Sequence, residues 1–79
     1  MAKIITDPKI MLGKPTIKGT RITVEQILKL LAQKLTIEEI LDDFPQLAEN
    51  DIKEAVNYAA KSVASVHTNS AKYLHEIHR

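Results

Sequence analysis

The chain contains no cysteine, so no disulfide can staple it and no thiol nucleophile is available to it. It has no tryptophan and only three aromatic residues, Phe44, Tyr58 and Tyr73, so Ile, Leu, Val and Ala must build its core. The two glycines, Gly13 and Gly19, stand too far apart to form a phosphate-cradling loop. Long apolar runs are missing as well: the longest cluster, Ile27 to Ala32, is broken by Lys29. The first residues, Met-Ala-Lys-Ile-Ile-Thr-Asp, lack the apolar stretch of a signal peptide. A soluble, cytoplasmic protein that makes no use of a membrane is expected.

What is present fits one small domain. The chain has 79 residues, 44% hydrophobic and 27% charged, close to the globular average. Small domains without disulfides or metals often gain stability by association, so a homodimer is expected. The net charge of +1 conceals a strong division. Residues 1 to 34 carry seven bases (Lys3, Lys9, Lys14, Lys18, Arg21, Lys29, Lys34) against Asp7 and Glu25, leaving +5. Residues 35 to 60 set Lys53 against Glu38, Glu39, Asp42, Asp43, Glu49, Asp51 and Glu54, leaving −6, and the remainder carries +2.

Both glycines and two of the three prolines precede residue 20, which makes the front of the chain turns and short extended pieces. Ile4 to Thr6 reads as a strand stopped by Asp7-Pro8. Thr16-Ile17 and Arg21-Ile22 read as a ribbon around Lys18-Gly19. A first helix starts at Thr23 with Gln26 three residues on, and turns Val24, Ile27, Leu28 and Leu31 to one face. A second, about two turns long, starts at Thr36 with Glu39 in the capping-box position; Ile37, Ile40 and Leu41 face inward and Pro45 ends it. After Phe44-Pro45-Gln46-Leu47 a third helix carries a seam of Ile52, Val56, Ala59, Val63 and Val66, either domain core or a dimer contact. Residues 1–65 thus form the domain, with a β arm over 1–22. Residues 66–79 form a tail or a short helix started at Asn69 or Ser70, unless the third helix runs on.

A short helix, a turn and a longer helix, preceded by another helix, outline a helix-turn-helix DNA-binding domain, and equally a generic three-helix bundle. On a helical wheel Asn50, Glu54, Asn57 and Lys61 lie opposite the apolar face of the third helix, flanked by Lys53. Asn reads adenine and Lys meets guanine or phosphate, so Asn50, Lys53, Asn57 and Lys61 are candidate DNA contacts. Glu49, Asp51 and Glu54 oppose phosphate approach there, and stabilise the helix start against its dipole. Lys14, Lys18 and Arg21, in the turn-rich front, are the stronger electrostatic candidates. Arg21 serves equally as an ion-pair partner for Asp42 or Asp43. Glu38, Glu39, Asp42 and Asp43 mostly face water, and are candidates for contacting a basic protein partner. His75 and His78 stand at i, i+3 with no third ligand, so no metal, cofactor or small-molecule substrate is expected, and no enzymatic activity.

The stretch Asp7-Pro8-Lys9-Ile10-Met11-Leu12-Gly13-Lys14-Pro15-Thr16-Ile17-Lys18-Gly19-Thr20-Arg21-Ile22 closely resembles the opening signature of the domain-of-unknown-function 433 family. Thr36-Ile37-Glu38-Glu39-Ile40-Leu41, Phe44-Pro45-Gln46-Leu47 and Ala55-Val56-Asn57-Tyr58-Ala59 follow in the family's order, so the match spans about residues 4 to 60. The resemblance implies a mainly α fold, homeodomain-like or winged helix-turn-helix, with a short N-terminal β ribbon. It also implies an antitoxin of the VapB sort, which represses its own operon and blocks a PIN-like ribonuclease toxin by direct contact. Two positions depart from the pattern. Leu12 replaces the first glycine of the usual pair, which softens the expected turn, and Ala48 replaces a Thr or Ser cap, which leaves capping of the third helix to Glu49 or Asn50.

With what the resemblance implies, the expectation is a small dimeric DNA-binding antitoxin and autorepressor. The competing expectation is a module that binds a basic protein through its acidic helices without touching DNA.

Overall fold

A computed structural model describes residues 3–77, with side chains over residues 3–64. The fold is mainly helical: two short strands, β1 (Ile4–Ile5) and β2 (Thr16–Ile17), precede three helices, α1 (Val24–Ala32), α2 (Ile37–Asp43) and α3 (Glu49–Ile77). The strands are antiparallel, with Ile4 opposite Ile17 and Ile5 opposite Thr16. The ribbon is therefore closed by the N-terminal strand. Arg21-Ile22, expected to supply the second strand, instead forms the end of a turn in which the Ile17 N–H donates to the Ile22 carbonyl at 3.0 Å. Thr16 makes a single bridge to Thr23.

Between the strands, Asp7 starts a tight reversal: its carboxylate accepts from the Lys9 N–H at 2.9 Å and its carbonyl from the Ile10 N–H at 2.8 Å. A single 3-10 turn over Met11–Gly13 follows, with φ of 49°, 58° and 82° at its three residues. The turn expected to be softened at Leu12 is made in full, by holding Leu12 in the left-handed region that suits glycine.

The second helix start makes its expected capping box in full, whereas the first makes only the forward half, with no return bond from the Gln26 side chain. Thr23 accepts from the Gln26 N–H at 2.9 Å, and the N–H of Val24 is taken up by the Pro15 carbonyl at 2.9 Å, which ties the arm to α1. Thr36 and Glu39 form the full capping box, with bonds of 3.1 and 2.8 Å. At the end of α1 the Leu35 N–H reaches the Leu30 carbonyl and the Lys34 N–H reaches that of Leu31, a Schellman closure with Lys34 at φ 70° where glycine is usual.

The start of α3 differs from expectation. The helix begins at Glu49, which makes Ala48 the cap position, and the Asp51 carboxylate accepts from the Ala48 N–H at 2.9 Å. This is the returning half of a capping box, supplied from the third helical position because alanine has no oxygen to offer. Neither Glu49 nor Asn50 caps. The helix then continues past Asn69 and Ser70 without a fresh start.

Ile17, Ile22, Val24, Ile27, Ile40, Leu47, Ile52 and Ala55 form the buried core, with Leu28, Leu31, Leu41, Phe44 and Ala59 packed half-buried around it. Ile37, expected inside, is 38% exposed, and two members of the apolar seam, Val56 and Val63, are 42% and 65% exposed. The short α1 and α2 cover only part of the apolar seam on the longer α3. Val66 and the two C-terminal histidines lie outside the described side chains.

Candidate nucleic-acid and partner interface

The basic arm is organised by its turn. Gly19, at φ 83°, lets the chain reverse between Ile17 and Ile22. The Thr20 hydroxyl stitches the reversal by donating to the Ile17 carbonyl at 2.9 Å and accepting from the Ile22 N–H at 3.0 Å. Lys18 and Arg21 flank this turn and are exposed. The Lys18 N–H donates to the Lys3 carbonyl at 2.6 Å, which sets Lys3 across the ribbon from Lys18. Like charges facing one another across two strands repel, and an anion between or above them removes that cost. Among the described residues, Lys3, Lys18 and Arg21 enter no ion pair, and the expected pairing of Arg21 with Asp42 or Asp43 is not made.

Lys14 is separated from that group. Its Nζ lies 3.1 Å from Glu25 Oε1, and Lys29 Nζ lies 3.3 Å from Glu25 Oε2. The Lys14 hydrogen bond, then that of Lys29, holds the Glu25 carboxyl below its ordinary range. Lys14 thus docks the turn on α1, and its charge is already partly answered. The Glu25–Lys29 spacing of four was readable as a helical pair. The arrival of Lys14 from eleven residues upstream depends on the arm's path. Lys3 was missed as a candidate for the same reason: only strand pairing brings it beside Lys18.

On α3, Asn50, Lys53, Asn57 and Lys61 are all exposed, while Glu54, placed on the same outer face by the wheel, is half-buried. Asn50, Lys53 and Asn57 line a groove of about 580 Å³ whose apolar side is formed by Leu31, Ile37, Ile52 and Val56. Glu49 stands in the same groove. Asp51 is buried and committed to the helix start, so it is removed from any interface.

The four acidic candidates on α2 are exposed. Glu39 is occupied by its bond to the Thr36 N–H and acts as a structural cap. Glu38, Asp42 and Asp43 enter no ion pair among the described residues. Among the described residues, no three of His, Asp and Glu come together to hold a metal ion, and no helix is long and apolar enough to cross a membrane.

Comparison with known proteins places this architecture. No curated protein matches the chain. The crystal structure of a DUF433 member protein from Anabaena variabilis superposes with a TM-score of 0.76 at 24% identity, covering 90% of this chain and 70% of the other. That likeness concerns the fold. The model for the family described as "Protein of unknown function (DUF433)" matches residues 4–59, from β1 to the half-buried Ala59 of α3. With most of its length and all of its core inside that match, the chain belongs to the DUF433 family.

Proposed function

We propose that the chain is a small DNA-binding protein in which α2, the Phe44–Leu47 turn and α3 act as a helix-turn-helix unit and the basic ribbon grips phosphate. The carrying observation is the opposition of Lys3 and Lys18 beside Arg21, three exposed cations without partners among the described residues. A polyanion relieves that repulsion, and Asn50, Lys53, Asn57 and Lys61 supply base-reading chemistry on α3. In this reading the protein is the autorepressing antitoxin of a type II module with a PIN-like ribonuclease toxin, as its family resemblance implies. Gel shift on duplex from upstream of its own gene tests the DNA half. Binding is expected to fall steeply between about 50 and about 200 mM salt. The double substitution Lys18→Ala, Arg21→Ala should lower the slope of log K against log salt by about 1.8. Salt-insensitive behaviour, or no binding to any duplex, overturns it.

A second reading rests on Glu38, Asp42 and Asp43, exposed on one short helix and unpaired among the described residues. Such a surface complements a basic cleft, including that of a ribonuclease. Reversing Glu38, Asp42 and Asp43 to Lys, with Glu39 kept as the cap, should abolish capture of the toxin encoded beside it while leaving DNA binding in place. Undiminished capture removes this reading.

A further inference from the structure

On α3, next to the groove of Asn50, Lys53 and Asn57 with which it shares Val56, an apolar face is left open to solvent. Val63 is 65% exposed and Val56 is 42% exposed, and with Ala60 and the half-buried Leu28 of α1 they line one continuous open groove. Lys61 is the single charged residue between Ala55 and Ala64, and it lies on the opposite side of the helix wheel from Val56 and Val63. This face therefore selects by shape and apolar area.

The thin core points to the occupant. Among the described residues eight apolar side chains, none aromatic, make up the core, and no disulfide supplements them; small domains of this kind gain stability by associating with their own copies. The spacing of Val56, Ala60 and Val63 alternates four and three, the repeat with which a helix meets a helix of the same kind. Alanine at the middle position allows close approach, and a near-neutral stripe meets its own copy without repulsion. We propose that this face docks a second copy of the chain about a two-fold axis, α3 against α3, with Val56, Ala60 and Val63 in the contact. The proposal is independent of whether the ribbon binds DNA.

Sedimentation equilibrium of the full chain should give twice the 8.9 kDa monomer mass at micromolar concentration. Val63→Lys should return it to monomer mass with its helical circular dichroism retained, whereas Val63→Leu should leave it dimeric. Because the chain has no cysteine, a second measurement does not depend on the lysine variant folding. Ala60→Cys should cross-link into covalent dimers under mild oxidation, and Gln46→Cys, in the exposed turn before α3, should not. A monomer at all concentrations, a dimer indifferent to Val63→Lys, or equal cross-linking at both cysteines overturns the proposal. A 1:1 assembly with a different protein through Val56 and Val63, with the isolated chain monomeric, also overturns it.

Discussion

Leu12 sits at φ 58° with 92% of its surface in solvent, so it bears left-handed strain without gaining burial. An L-residue in that region costs roughly 1–2 kcal/mol relative to the right-handed one, and glycine escapes the cost. Leu12→Gly is therefore expected to raise stability by up to about 1 kcal/mol, part of the relief being lost to the greater freedom of glycine in the unfolded chain. Urea denaturation checks this; a loss of stability would mean that the Leu12 side chain holds something in the folded state. Glu25 couples folding to pH. Its folded pKa is depressed by Lys14 and then Lys29, so folding favours the charged carboxylate. That contribution is complete above the unfolded pKa and is lost as pH falls through the folded value. Glu25→Gln should flatten the acid limb of the stability curve, and high salt should mimic it because the three side chains are exposed. An unchanged acid limb in urea titrations at several pH values would show that the pair contributes nothing.

The third helix start invites completion. Asp51 already returns its carboxylate to the Ala48 N–H, and the forward half of the box is missing for want of an oxygen at residue 48. Ala48→Ser should add about 1 kcal/mol, a rise of roughly 4–8 °C in the melting temperature of a domain this size. In an Asp51→Ala background the gain should shrink, since the two bonds hold the same turn. Calorimetry of the four chains closes the cycle. Helix starts marked by Thr23 with Gln26 and Thr36 with Glu39 were legible in the sequence because capping is local chemistry at fixed spacing. Ala48 was not, because its cap comes from a carboxylate whose own role there is readable only once the helix start is placed. Strand pairing was half legible: Thr16-Ile17 read as a strand, but two residues carry no period that names a partner. The reversal at Asp7 to Gly13 chooses Ile4-Ile5. The candidate site follows the same division. Its charges were visible, whereas the opposition of Lys3 to Lys18 and the diversion of Lys14 onto Glu25 arise from that long-range pairing. Ile37 and Val56 stayed outside because a seam that reads as core has a core only where another element lies over it.

At the scale of the molecule, those uncovered positions and the thin core are two sides of one fact. Among the described residues, eight buried apolar side chains, none of them aromatic, hold the helices and the ribbon together. A single core in a chain this short seldom supplies more than about 3–5 kcal/mol. Val56, Ala60 and Val63 add to it when a second molecule covers them. Association then becomes part of folding: a ligand that binds the native form alone stabilises it by mass action, and here the ligand is the chain itself. Each tenfold rise in concentration adds about 1.4 kcal/mol per dimer, which should raise the melting temperature by roughly 3–6 °C. Val63→Lys should melt lower and at one temperature whatever its concentration. If the native chain also melts independently of concentration over about three decades, its stability owes nothing to a partner copy. The eight-residue core must then be sufficient by itself.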